Sequence, residues 1–481
     1  MPGFTGETGR KPGAITRIEF WAIAYLAVPV VLFMIAYAKP IIGLPCAAFV
    51  AYSLWRCALL IEARGERQSI QLSLFLWLMA ALTVFASGAF GGVAANSDWI
   101  KHFAVIRFIL DNDSLVSTAR DYDGGTLRYY LGWYLVPGLL GKAFSIEALL
   151  PLIGTWTTAG LYLFFSVAAR LTERKLWRYG LPLIFLLFSG ADAIGTTITG
   201  FTLGPQFHIE WWAGWIEYSS NLTDIFWAPQ HALPAWLGAA LALRLQRNPA
   251  SLIVIPLVTT SIVLWSPFVA MGLVPFFAYV LSLNVRHISQ GAVVNGILAV
   301  PVVTALTVYM RSGTEALPFA PVWKLPCLGQ GPCYTFHGYL LFVGLEVVPV
   351  IFACQLATRW RSAMVWLATI SLLGMPFFKF GAFNDLNLHG SIPAIAVLTL
   401  IAWQAMANSA RWLRVIFAAI IVMGAPTPIQ ELRRAFWMKN GPTTDMTFAY
   451  LLERVPQLRS QYMINQAPWL LRRPQPREPQ H

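Results

Sequence analysis

In the stretch NSDWIKHFAVIRFILDND, residues 96–113, Asp98, Lys101 and His102 stand three and four residues apart, which on a helix puts them on one face. Ser97 occupies a position suited to an N-cap, and Trp99, Phe103, Ile106 and Leu110 form an apolar stripe fit for a membrane surface. A carboxylate there can act as general base on an acceptor hydroxyl, with His102 positioning or assisting the acceptor. The plain alternative is an acid that suits the helix dipole and an ordinary ion pair to Lys101.

Three other stretches carry chemistry-bearing residues. In RDYDGGTLRYYLGWY, residues 120–134, Asp121 and Asp123 with two glycines make a turn able to present carboxylates or hold a cation. Arg128 could hold a phosphate, and Tyr129 and Tyr130 could stack on a sugar ring or belong to an interfacial aromatic belt. In residues 207–236, His208 and Glu210 are separated by one residue, so an extended segment points both to one side. Together with Asp98 and His231 they are candidate ligands for a divalent metal, although the chemistry does not require one. Gln230 and His231 open an apolar run, where polar groups at membrane depth line cavities. In FKFGAFNDLNLHGSIPA, residues 378–394, Lys379 or His389 could neutralise a phosphate, with Asn384 beside them and Asp385 orienting either. The alternative is a hydrogen-bonded turn before a capped helix.

These residues must be placed by apolar elements, because 57% of the 481 residues are hydrophobic and only 12% are charged. An ordinary soluble domain carries roughly 25% charged residues, so the composition describes an all-α polytopic membrane protein. A spanning helix needs about 20 apolar residues. Thirteen spans are expected near 20–38, 41–61, 71–95, 146–169, 178–197, 228–246, 250–266, 268–284, 290–310, 337–357, 362–380, 391–408 and 412–430. Residues 1–19 form a cytoplasmic segment, 20–430 the transmembrane domain, and 431–481 an Arg- and Pro-rich tail at the outer surface. No cleavable signal peptide is evident, and the first apolar run reads as a retained span.

Basic residues prefer the cytoplasmic side. Arg10, Lys11 and Arg17 put the N-terminus inside, and alternation then puts Arg64 and Arg67, Arg170 to Arg178, Arg244 and Arg247, Arg286, Arg359 and Arg361, and Arg411 and Arg414 inside as well. This works only if YYLGWYLVPGLLGK, residues 129–142, is interfacial or re-entrant instead of spanning. The loops 96–145, 198–227, 311–336 and 381–390 then share the outer face, and five of the seven histidines, His102, His208, His231, His337 and His389, fall in or beside them. Among the 22 acids, Asp98, Asp121, Asp123, Asp192, Glu210 and Asp385 stand out on that face. Cys46, Cys57 and Cys354 lie in apolar runs, whereas Cys327 and Cys333, in LPCLGQGPC, form either a small disulfide loop or two free thiols.

This layout resembles the GT-C superfamily of polytopic glycosyltransferases, with NSDWIKHF and the following DYDGGTLRYYLGWYLVPGLLGK carrying the likeness. FWAPQHALPAW and FNDLNLHGSIPA are similar to segments of bacterial membrane proteins of that type. The resemblance implies an acidic catalytic residue in the first large outer loop, here Asp98, and a sugar donor on a polyprenyl phosphate. It also implies a saccharide, lipid or protein acceptor and a periplasmic site in the inner membrane of a bacterial cell envelope. The chain departs from the family in having two spans before the acidic loop and no acidic pair at 98–99. A transporter or lipid flippase and a cell-envelope polysaccharide polymerase or ligase are the alternatives. A transporter fits less well, because no internal repeat is present and the ionisable residues gather at one face. The net charge of +12 sets topology instead of marking a nucleic-acid partner, and no P-loop or dinucleotide fingerprint occurs.

Overall fold

The computed structural model describes residues 12–62, 68–117, 125–144, 147–201, 208–214, 216–313, 319–324, 335–381 and 383–473. Asp121, Asp123, Arg10, Lys11, Arg64, Arg67, Cys327 and Cys333 lie outside them. The chain is mostly helical. Helix α1 (Arg17–Ala36) starts with a reciprocal cap in which Thr16 Oγ1 accepts from Glu19 N and Glu19 accepts from Thr16 N. Pro40, whose missing N–H costs nothing at a helix start, opens the antiparallel α2 (Pro40–Ala58). There follow α3 (Ile70–Ala86), α4 (Trp99–Asp111), strand β1 (Thr126–Leu127), α5 (Leu135–Ala143) and α6 (Leu149–Ala168).

The middle of the chain runs through α7 (Lys175–Leu186), α8 (Asp192–Thr199), α9 (Asn221–Trp227), α10 (Pro229–Arg244), α11 (Ser251–Trp265), α12 (Pro267–Asn284) and α13 (Gln290–Arg311). Strand β2 (Phe319–Pro321) precedes α14 (Phe336–Glu346), α15 (Val348–Thr358) and α16 (Ala363–Gly374). Strand β3 (Phe378–Phe380) pairs antiparallel with β2, and α17 (Asp385–Gly390), α18 (Ile392–Asn408), α19 (Arg411–Gly424) and α20 (Pro426–Trp437) follow. The chain then forms α21 (Phe448–Arg454), α22 (Arg459–Tyr462) and β4 (Met463–Ile464), which pairs antiparallel with β1.

Among the described residues, seven helices are long and apolar enough to cross a membrane, and the α14–α15 pair makes an eighth if its 51° bend lies within one span. Helices α3, α11 and α16 are apolar but shorter. The expected continuous runs break where the backbone demands it. The run at 71–95 stops at Ala86 before a glycine-rich turn, and the run at 178–197 is split by residues 187–191 into α7 and α8. Pro349, which lacks an N–H, sits in the first turn of α15 beyond the bend. Residues 129–142 lead into and form most of the nine-residue α5, packed between α4 and α6.

Interactions divide the helical body into two ends. At one, Asn248 Nδ2 donates to Ala14 O (2.8 Å), Ile15 N to Leu60 O (2.9 Å), Gln404 Nε2 to Leu171 O (2.6 Å) and Asn284 Nδ2 to Gln246 O (3.2 Å). Here Arg244 Nε lies 3.0 Å from Glu19 Oε1, and its Nη1 donates to Arg170 O. Loops near residues 96–116, 208–231, 309–313 and 378–391 meet at the other end, together with the C-terminal segment. That segment is built into the body through the β1–β4 pair and through Arg472 N, which donates to Tyr37 O (2.9 Å).

Glu19 is fully buried and Arg244 nearly so. Removing one partner of a buried pair leaves an uncompensated charge, at a cost of roughly 3–5 kcal/mol. Glu19→Gln should therefore lower the thermal midpoint of the detergent-solubilised protein, followed by tryptophan fluorescence, well below that of the wild type. Gln retains the helix cap at this position, so a midpoint equal to that of the wild type would show that the ion pair contributes nothing.

Candidate functional site

The start of α4 is held by the end of α9. Asn96 Nδ2 donates to Phe226 O (2.8 Å), and Trp99 Nε1 donates to the same carbonyl (3.0 Å). Asn96 Oδ1 accepts from Asp98 N (2.9 Å), which makes Asp98, and not Ser97, the N-cap residue; its side chain makes no capping bond. Instead Asp98 Oδ2 receives Lys101 Nζ at 2.5 Å, and the Asp98 side chain stays one-third exposed. Burial alone would lower the Lys101 ammonium, but Asp98, then Tyr129, and Asp385 as well, pull it above its ordinary value. Lys101 is thus a lasting positive charge beside the carboxylate.

His102 turns the other way. It is fully buried, with Nε2 2.8 Å from Trp227 O and Nδ1 2.7 Å from the Tyr134 hydroxyl. A carbonyl only accepts, so Nε2 carries the proton and Nδ1 accepts from Tyr134. Burial, then Lys101, push its pKa down to about 3, against weaker upward pulls from Asp98 and from the bond to Trp227. Both ring nitrogens are engaged, so the ring faces Tyr134 and Trp227 and not the exposed side on which Asp98 lies. Helical spacing alone could not distinguish these, because it does not say which neighbour covers a face.

Tyr129 and Tyr130 lie inside the body and not in a surface belt. Their rings are 4.3 Å apart, and Tyr129 also packs on Tyr462 at 4.6 Å. The Tyr309 hydroxyl bonds Leu127 O and Tyr129 O, each at 3.2 Å, and Arg128 Nη1 donates to Met310 O (3.3 Å). Tyr130 meets His231 edge-on at 5.1 Å. His231 in turn stacks on His389, with ring centroids 3.6 Å apart and planes 13° from parallel. Ser266 Oγ fixes His231 Nδ1 at 2.7 Å, while His389 Nε2 lies 3.8 Å from Asp385 Oδ1. Gln461 Nε2, from the C-terminal segment, donates to Asp385 Oδ2 (3.3 Å). Lys379, buried in β3, interacts electrostatically with Asp385, and Lys101 does so with Asp385, His231 and His389. Asn384, at φ 61°, takes the left-handed conformation that starts α17, and its Oδ1 accepts from Phe380 N (3.2 Å). Gln230 is fully buried, and its amide has no hydrogen-bond partner among the described residues.

One close approach sets the histidine stack. A Cβ on Gly272 of α12 would lie 2.2 Å from the carbonyl oxygen of Gly390, directly after His389. No side chain fits there without moving α12 away from α17.

A second polar centre lies behind Trp227. His208 Nδ1 faces Glu210 Oε2 at 3.2 Å, and His208 Nε2 is 4.0 Å from Glu217 Oε1. Glu210 Oε1 accepts from Ser220 N (2.8 Å) and Thr223 Oγ1 (2.9 Å). Trp212 Nε1 bridges Asp192 Oδ1 (3.1 Å) and Glu346 Oε1 (3.3 Å), and Ser189 and Thr427 donate to Asp192 Oδ2. The Trp227 ring sits 4.9 Å from that of His208 and 4.7 Å under the Arg434 guanidinium, while its Nε1 donates to Glu431 (2.8 Å). Burial lowers the His208 pKa, but the contact with Glu210, then Glu217, raise it to about 9 on balance. Burial pushes Glu217 up to about 7, against the pull of His208.

The chain matches no family model, no curated protein and no solved structure. Its own geometry therefore carries the reading. Asp98, Tyr129, Tyr130, His231, Lys379, Asp385 and His389 are brought into one cluster, with Arg128 and Asn384 holding its backbone. The four expected metal ligands are not brought together. Asp98 is bound to Lys101 and His231 to Ser266, whereas His208 and Glu210 join Glu217. Tyr134, Gln461, Tyr462 and Glu346 had no signal in the sequence, because each meets its partners here across long chain separations, while Glu217 and Glu431 have local partners in Ser219 and Arg434 but meet His208 and Trp227 only through the fold.

Two outcomes test this arrangement. Gly272→Ala should separate α12 from α17 and cost about 1–3 kcal/mol of stability, the usual range for overpacking, seen as a lower thermal midpoint. An unchanged midpoint would mean that the approach is looser than described. His102 has a folded pKa near 3 against an ordinary value of 6.5, so unfolding takes up a proton between those values. Its stabilisation is full above pH 6.5 and is lost as pH falls toward 3. The thermal midpoint should therefore drop more steeply over that window in the wild type than in His102→Gln, and parallel curves would contradict the neutral assignment.

Proposed function

We propose that this chain is a membrane-embedded glycosyltransferase that moves a sugar from a polyprenyl-phosphate donor to an acceptor hydroxyl. The observation that carries the proposal is the Asp98–Lys101 pair at the edge of the tyrosine and histidine cluster. The carboxylate is one-third exposed, and the ammonium beside it stays charged. In the reaction, Asp98 takes the proton of the acceptor hydroxyl as that oxygen attacks the anomeric carbon. The bond from that carbon to the phosphate oxygen breaks, and the polyprenyl phosphate leaves with the electron pair. Lys101, Lys379 and the buried donors around Asp385 oppose the charge that develops on it. Tyr129 and Tyr130 supply flat apolar faces for a sugar ring. His102 acts indirectly, by fixing Trp227 and Tyr134 under the cluster.

The basic loops at the opposite end favour a cytoplasmic placement for that end and an outer, periplasmic placement for the cluster. The concentration of ionisable groups at one end weighs against a transporter, which would carry them near the midplane. With the purified chain in liposomes and a radiolabelled polyprenyl-phosphate hexose, Asp98→Asn should reduce transfer by about 10²-fold or more while insertion and thermal midpoint stay as in the wild type. Near-normal transfer by this variant would remove Asp98 from the mechanism. Donor translocation with no new glycosidic bond in the wild type would favour transport.

A further inference from the structure

We propose that His208, Glu210 and Glu217 bind a divalent transition-metal ion of the Mn²⁺ or Zn²⁺ type, at a centre separate from Asp98. One ring nitrogen of His208 and one carboxylate oxygen from each glutamate lie within 4.8 Å of one another. Ligands around one ion, at about 2.0–2.2 Å from it, are spaced roughly 3–4 Å apart, so small side-chain rotations close the site. One imidazole and two carboxylates form a mixed nitrogen and oxygen donor set, which suits these ions better than Ca²⁺ or Mg²⁺.

Two independent features point to a ligand. His208 Nδ1 and Glu210 Oε2 face each other at 3.2 Å on side chains at most 4% exposed, yet neither makes a hydrogen bond of good geometry. Asp224 Oδ2, also buried and without a hydrogen bond, lies within electrostatic range of Glu210 and Glu217. The second feature is the charge balance. Glu210 sits electrostatically among Asp192, Glu217, Asp224 and Glu346. Among the described residues, the cationic group paired with these carboxylates is His208, and the nearby Arg434 is paired with Glu431. Buried carboxylates in that excess need protons or a cation. A dication at His208 neutralises two of them and releases the His208 proton. It also braces the segment leading into α9, against which Trp227 packs.

The metal site stands independently of sugar transfer, so binding is the measurement. The full-length protein in detergent, stripped with EDTA, is titrated with Mn²⁺ by electron paramagnetic resonance, and its melting is followed with and without the ion. The expected result is one saturable ion per chain with a raised midpoint. Affinity should be at least about tenfold weaker in Glu217→Gln, whose amide can still accept from Ser219, and lost in His208→Gln/Glu217→Gln. Asp98→Asn should bind as the wild type does. Absence of saturable binding by both Mn²⁺ and Zn²⁺ overturns the proposal, as does unchanged affinity in the Glu217 variant. Loss of binding in Asp98→Asn alone would place the ion at the other cluster and equally overturn it.

Discussion

The candidate site depends on a break in one helix. After Trp227 the chain leaves helical geometry at Ala228 and restarts at Pro229, which has no N–H to offer. The carbonyls of Phe226 and Trp227 are thus among the unpaired acceptors that every helix end exposes. Asn96, Trp99 and His102 satisfy them, and in doing so dock the first turn of α4 onto the end of α9. The position of the Asp98–Lys101 pair follows from this docking. So does the inward turn of His102, since its Nε2 proton has a buried carbonyl to meet.

Trp227 then separates two electrostatic environments. On one side Lys101 is a positive charge facing Asp98, Asp385 and two stacked imidazoles. On the other, carboxylates outnumber cations around Glu210. The tryptophan serves both sides through different atoms, with its carbonyl toward His102, its indole N–H toward Glu431 and its ring between His208 and Arg434. A substitution that loosened this ring would disturb both centres together.

Much of the helical layout was legible because long apolar runs can satisfy their backbone groups within a membrane only as helices. Their interruptions were less legible. Glycine-rich turns after Ala86 and around Gly190 end helices that hydropathy alone continues, since apolar content does not report backbone conformation. The Gly190 turn is also a contact surface, because a Cβ there would collide with Glu346. In the site, Asp98 and Lys101 were readable from their three-residue spacing, which is local. His231 and His389 were readable as polar residues beside apolar runs, but their stacking was not, because it joins positions from α10 and α17. The C-terminal segment was placed at the surface for its arginines and prolines, yet it delivers Gln461 and Tyr462 into the cluster by pairing β4 with β1.

The amino-acid order alone determined an all-helical, strongly apolar chain with its basic residues in alternate loops and few acids to inspect. Those properties are local, being set by transfer of each side chain out of water and by spacing along a helix. Only the tertiary structure decided which acids face which cations. It separated Asp98 from His208, joined His208 to Glu217, and made His102 a neutral brace. Such pairings depend on distances that the fold sets, whether the partners are far apart in the chain or, like His208 and Glu217, near in it, and the electrostatic energy of a buried charge is set by those distances, not by its place in the chain.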